Sequence, residues 1–252
     1  MLPYMPSTGG MCSAFPPYRA LEKLRCHSFP HWPVRASSAT AMQIRTLAVF
    51  GITGQTGEAL VNAAAVRGWA VRGFARPESA TPRGPAAPII VRGYFTDSTR
   101  VVEAVAGADA VCCVIGPRAP YTEVFCAAAT AAIVQAMRQV GSRRLVCQTG
   151  AMVGPGNRTP AFEWFCRSFA RRRPAVAQDR LEQEGLIREC GLDWTLVKPP
   201  RLTNGPARHA VKAGCALRVG LLSSISRADI AEFMLDAIEG AQYVCARVFV
   251  RG

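Results

Sequence analysis

The run Ala48-Val-Phe-Gly51-Ile-Thr-Gly54-Gln-Thr-Gly57 decides how the rest of the chain is read. An apolar stretch ends at Phe50, glycines follow at 51, 54 and 57, and an alanine-rich helical pattern comes next. Gly51 permits a tight turn straight after a strand, and Gly54 lets backbone come close to a phosphate group. Gly57 lets the helix lie close against the strand it has just left. The start of such a helix presents free N–H groups and the positive end of its dipole, which suits an anion. Glycine spacing alone is weak evidence, but here strand, turn, helix and a following strand stand in order.

Outward from this turn, apolar runs alternate with helical patterns. Strands are expected at Leu47–Phe50, Ala70–Phe74, Ile89–Val91, Ala110–Ile115, Arg144–Gln148 and Trp194–Val197, and helices near 56–67, 98–106, 122–140 and 176–190. Apolar strands separated by helices predict a parallel sheet covered on both faces. Right-handed crossovers make that an α/β Rossmann-type doubly wound sheet. Residues 200–225 break the rhythm and are expected to form a small C-terminal substrate lobe. Ser226 is a plausible N-cap for a last helix near 227–239, and Arg247–Val250 is expected as an edge strand.

The end of the second strand bears on the choice of dinucleotide. NAD sites usually place an acid about 20 residues beyond the glycines, to hold the ribose 2′-hydroxyl. This chain has Arg76 there, with Arg72 and Ser79 nearby and no acid before Glu78. A guanidinium can pair with a 2′-phosphate through two parallel hydrogen bonds, so NADP(H) is expected in preference to NAD(H). The plainer reading of Arg76 is a solvated surface residue.

Composition removes other classes. The chain has 252 residues, half of them apolar, and a mean hydropathy of +0.13, which suffices for a large core and excludes general disorder. No apolar run approaches the ~18 residues of a spanning helix. The net charge of +13 is almost wholly arginine, and no zinc, RNA-recognition or helix-turn-helix signature accompanies it, so no nucleic-acid partner is expected. Ten cysteines lie in apolar surroundings without Cys-x-x-Cys spacing, as buried hydrophobes would. With His27, His31 and His209 the only histidines, no metal centre is expected. Residues 1–44 are rich in Pro and Ser, with Arg19, Lys23, Arg25 and Arg35 against one acid, Glu22. They read either as an organellar transit segment or as an extension upstream of a start at Met42. They are expected to be poorly ordered, and the domain is expected over 45–252. Its compartment is expected to be the cytoplasm, or an organelle if residues 1–44 are a transit peptide.

Three stretches carry a resemblance: Gly51-Ile-Thr-Gly-Gln-Thr-Gly57, Gly191-Leu-Asp-Trp-Thr-Leu-Val-Lys-Pro-Pro200 and Ser226-Arg-Ala-Asp-Ile-Ala231. Over about 45–250 the chain resembles the atypical short-chain dehydrogenase/reductases, in the NAD(P)H-binding subgroup that includes biliverdin-IXβ/flavin reductase and NmrA-like proteins. The resemblance implies dinucleotide contacts from Thr53, Gly54, Gln55, Thr56, Gly57 and Arg76, and a nicotinamide side at Ile115, Gly116 and Arg118. It also implies pocket walls at Gln148-Thr149-Gly150 and Lys198-Pro199-Pro200. The plainer reading, set behind the functional one, is that Gly116 ends a strand and Pro199-Pro200 stop one.

The departures bear on chemistry. Conventional relatives protonate a carbonyl with a Tyr-x-x-x-Lys pair. Here Val176 fills the tyrosine slot and Arg180 the lysine slot, while Gly150 stands in place of a serine and Arg201 in place of a histidine. Tyr94-Phe95 follow Gly93, where relatives commonly have an acid. Ordinary carbonyl reduction is therefore disfavoured. Hydride transfer to a flavin, quinone or tetrapyrrole, with solvent supplying the proton, is favoured. The alternative is a non-catalytic NmrA-like NADP(H) sensor. Arg118, Tyr121, Arg180 and Arg201 are the candidates for contact with a small-molecule substrate.

Between the fifth strand and the next helix lies Pro160-Ala-Phe-Glu-Trp-Phe-Cys-Arg-Ser-Phe-Ala-Arg-Arg-Arg-Pro174. Phe162, Phe165 and Phe169 make an apolar helical stripe that ends in a basic turn. The segment reads as a cap over the substrate lobe, a mobile lid, a docking face for a protein partner, or a membrane-surface contact.

Overall fold

The computed structural model describes residues 45–80 and 88–252, so the expectations for residues 1–44 lie outside the described residues. The first strand, β1 (Thr46–Phe50), is buried on both sides because its two sets of alternate residues enter different cores. Leu47 and Val49 pack with helix α1 (Gln55–Val66) and helix α6 (Arg227–Glu239). Ala48 and Phe50 pack with α2 (Ser98–Val105), α3 (Cys126–Val140) and α5 (Pro174–Glu189). Period-2 side chains between two helical layers are what a doubly wound sheet requires. Burying a residue the size of Phe50 contributes roughly 1.5–3 kcal/mol.

The sheet runs β3-β2-β1-β4-β5-β6-β10-β8. Here β2 is Ala70–Ala75, β3 Ile89–Arg92, β4 Ala110–Cys113, β5 Arg144–Gln148, β6 Asp193–Lys198, β8 Lys212–Gly214 and β10 Ala246–Arg251. All neighbours are parallel except β8 on β10. The order reverses between β1 and β4, which opens a crevice at their carboxyl ends.

Several expectations need correction. β10 is not an edge strand: β8, from within 200–225, adds antiparallel to its outer side, pairing Phe249 with Gly214. The C-terminal lobe is thus stitched to the main sheet. Its remainder is a two-stranded pair, β7 (Arg201–Thr203) with β9 (Ser224–Ser226), and helix α4 (Pro160–Arg172) packs through Phe162 and Cys166 on Val219. β4 ends at Cys113 rather than Ile115 because its partner β1 stops at Phe50, and Val114 N–H makes the last bond, to the Phe50 carbonyl. α3 begins at Cys126 rather than near 122. Tyr121 has φ +59, and the buried Asp179 carboxylate of α5 accepts from the N–H groups of Phe125, Cys126 and Ala127. A cap supplied from another helix leaves no local sequence signal. The described cysteines are mostly buried, as expected, and burial pushes the Cys112 thiol up to about 12.

Candidate dinucleotide site

Gly51 turns the chain at φ +91, and a side chain there would sit about 3.0 Å from the backbone of Val114 and Ile115. The turn therefore lies directly against the end of β4. Gly57 is tighter still: a Cβ would stand 2.3 Å from the Gly51 carbonyl oxygen and 2.6 Å from Ile52 Cα. α1 starts at Gly54 with no side chain capping it, whereas Asp97 caps α2 by accepting from Arg100 N–H at 3.2 Å.

At this turn opens a cavity of about 490 Å³. One wall is Gly51, Thr53 and Gly54, and a second is Phe74, Ala75, Arg76 and Ser79. Ile115, Gly116 and Arg118 line the β4 side, with Glu123 and Phe125 beyond. Phe95 completes an apolar flank, its ring 5.1 Å from Phe74 and 6.0 Å from Phe50. Phe95, two residues after Gly93, thus gives the cavity an aromatic face.

Arg76 stands at the cavity wall with its side chain 56% exposed, and its Nε lies 3.4 Å from Glu78. Glu78 also accepts from the Tyr94 hydroxyl at 3.2 Å, which raises that hydroxyl's pKa. The turn bearing Arg76 is held by Arg92 of β3, which donates to the carbonyls of Arg76, Pro77 and Ser79 at 3.3, 3.1 and 2.9 Å. Arg72 points elsewhere, to the Glu103 and Ala106 carbonyls at the end of α2.

The structure brings Gly51, Thr53, Gly54, Arg76, Ile115, Gly116 and Arg118 to one cavity. Gln55, Thr56 and Gly57 form the first turn of α1 behind it. Thr149 and Pro199 lie at the ends of β5 and β6, where Thr149 N–H donates to the Val197 carbonyl and Ala151 N–H to that of Pro199. Arg180 differs from its expectation as a substrate contact. It is buried and donates to the Ile115 and Gln148 carbonyls at 3.1 and 3.4 Å, tying the ends of β4 and β5 together. Arg201 is exposed at the start of β7, outside the cavity lining. Tyr121 sets its ring edge-on to Phe169 of α4, 5.8 Å away.

The sequence reading missed two groups. Phe95 and Arg92 shape the second wall, and only the Tyr94-Phe95 departure hinted at the first. Below the β5 and β6 ends lies a buried ion pair. Lys198, 0% exposed, meets the Glu184 carboxylate and the Val153 carbonyl, and Thr149 Oγ1 donates to Glu184 at 2.7 Å. Burial pushes the Lys198 ammonium down to about 8, against the opposing pull of Glu184.

A bare helix start and a cavity at the point where strand order reverses define a dinucleotide-binding Rossmann protein. The chain belongs to the NAD(P)H-binding family, whose model matches residues 51–241. Similar solved structures include a wide-type short-chain dehydrogenase/reductase from Veillonella parvula DSM 2008 in complex with NADP. It has a TM-score of 0.66 and 17% identity, covering 82% of this chain and 94% of that one. ChuY, an anaerobillin reductase from Escherichia coli O157:H7, matches at TM-score 0.66 and 17% identity over 81% and 96%. A candidate NADH-flavin reductase from Streptococcus pneumoniae TIGR4 matches at 0.65 and 22% over 82% and 99%. These likenesses show the fold. Among the described residues, no helix is long and apolar enough to cross a membrane, and no cluster of three or more His, Cys, Asp or Glu could hold a metal.

Proposed function

We propose that the protein is an NADPH-dependent oxidoreductase that passes hydride to a flat, conjugated acceptor of the flavin, quinone or tetrapyrrole type. The observation that carries this reading is the pairing of a cavity at the glycine turn with buried slots that lack a proton donor. Val176 is buried, and Arg180 is committed to two backbone carbonyls. An acceptor here must take hydride without a proton from a tyrosine at position 176, which a conjugated ring system can do.

The residues present fit the cofactor. The uncapped first turn of α1, Gln55-Thr56-Gly57, suits the pyrophosphate, with Thr53 and Gly54 at its mouth. Arg76 and Ser79 suit a 2′-phosphate, while Ile115, Gly116 and Arg118 flank the nicotinamide side with Thr149 and Pro199 beyond. Bound NADPH supplies the hydride. Arg118 and Tyr121 orient the acceptor, and Arg180 fixes the wall behind it. NADP(H) is preferred over NAD(H) because the Arg76 guanidinium is held by a single contact to an exposed carboxylate, a weak tie that a phosphate can replace.

Arg76→Ala should narrow the preference for NADPH over NADH by about 10- to 150-fold, as loss of one charged contact of about 1.5–3 kcal/mol implies. Calorimetric titration of both cofactors reads this, and equal affinities in the unmodified protein would overturn the preference. The activity itself predicts NADPH consumption that depends on added flavin, quinone or tetrapyrrole and saturates with both substrates. The rival reading is an NADP(H) sensor, supported by Val176, Gly150 and Arg201 at three departed slots. It wins if an NADPH-binding preparation shows no turnover across that panel.

A further inference from the structure

The end of the molecule beyond the β5 and β6 carboxyl termini carries side chains that the dinucleotide reading does not use. Thr159 N–H donates to the Val219 carbonyl at 3.0 Å, and Phe162, Cys166 and Val219 share one small core, so α4 and the 217–223 segment are packed together. Within that segment Ser223 N–H donates to the Gly220 carbonyl at 3.1 Å, closing a four-residue turn. Its two central residues, Leu221 and Leu222, are 48% and 91% exposed. On α4, Trp164 is 71% exposed. It sits two residues from both Phe162 and Cys166, hence about 200° round the helix from each, on the solvent side.

The charge on α4 and beside the turn is mostly positive. α4 carries Arg167, Arg171 and Arg172 against a single acid, Glu163, which is already paired with Arg158 and Arg167. Residues 199–226 contain Arg201, Arg208, Lys212 and Arg218 and no Asp or Glu. Arg201 is the register partner of Ser224, next to the leucine turn, and Arg218 is three residues before Leu221. An exposed tryptophan, a turn with two exposed leucines, and arginines along α4 and beside the turn match the demands of a lipid interface. The apolar tips enter the boundary between headgroup and acyl chain, the indole sits at headgroup level, and the arginines meet anionic headgroups.

We propose that the face formed by α4 and the Gly220–Ser223 turn docks on an anionic lipid bilayer. This does not depend on the reductase reading, since it rests on surface residues outside the cavity.

Flotation of the full chain with vesicles tests it. The protein should float with phosphatidylcholine vesicles containing phosphatidylglycerol and not with phosphatidylcholine alone. Raising the salt should weaken flotation as headgroup charges are screened. The double variant Leu221→Ser/Leu222→Ser should lose about tenfold or more in partitioning. Arg171→Glu/Arg172→Glu should lose at least as much. Both should keep NADPH affinity unchanged, which establishes that they are folded. Flotation that persists in both variants overturns the proposal, because the binding then lies elsewhere on the chain. Absence of flotation with anionic vesicles also overturns it. Self-association without vesicles that the same substitutions abolish would assign the face to a second copy instead.

Discussion

Lys198→Ala is expected to cost about 3–5 kcal/mol of folding stability, because it leaves the Glu184 carboxylate charged, buried and without its cation. Lys198 is wholly buried and Glu184 only 4% exposed, so water cannot replace the lost partner. One donor remains: Thr149 Oγ1 still reaches Glu184, but a neutral hydroxyl does not neutralise a carboxylate. Urea unfolding measures the loss, and a decrease below about 1 kcal/mol would show that the pair is effectively solvated. The double replacement Lys198→Met/Glu184→Gln should recover most of the stability, since removing both charges also removes their desolvation. The pH dependence has a definite sign. Burial places the ammonium near 8, below its ordinary 10.5, so between these values the unfolded chain binds more protons than the folded one. Stability measured against Lys198→Met should therefore rise with pH across that window and be lowest below it.

Gly57→Ala should damage both fold and cofactor binding. The added methyl would meet the Gly51 carbonyl oxygen, Ile52 Cα and the Ile52 carbonyl carbon at 2.3, 2.6 and 2.8 Å. All three are backbone atoms of the turn itself, so no rotamer change relieves the clash, and α1 must move away from β1. Overpacking of this kind costs about 1–3 kcal/mol. The displaced helix start should also weaken NADPH binding by about tenfold or more, a change of 1.4 kcal/mol. Gly185→Ala is the matched control. It lies in the middle of α5 with no atom within 4 Å of its would-be Cβ, and it should stabilise by roughly 0.5–1 kcal/mol. Comparable behaviour of the two variants would mean that the close helix–strand approach at Gly57 is not needed.

The parts of this protein legible in its sequence were those written in local patterns. The glycine turn after Phe50, the alternating strands and helices, and the Ser226 cap all depend on residues near one another in the chain. The start of α3 was not legible, because Asp179 caps it from another helix. β8 was missed because three residues, Lys212–Gly214, form a strand only against the already formed β10. At the site, Arg76 and Gly116 could be placed from their positions after strands. Arg180 could not be understood that way: its side chain runs back into the fold to bind carbonyls of residues far away in sequence. Lys198 likewise read as a pocket wall, and only its burial against Glu184 reveals an internal ion pair.

The carboxylates at the starts of α2 and α3 have a consequence for direction. Of the three helices that follow β1, β3 and β4, α2 begins under the Asp97 side chain and α3 under that of Asp179, while α1 begins bare. Two of the three positive helix ends are thus silenced by built-in negative charge, which would also repel an incoming phosphate. An elongated phosphate-bearing guest meets a single open berth among these three. With only one berth it has only one heading along the crevice, so the molecule selects an orientation before any side chain has read the guest's two ends.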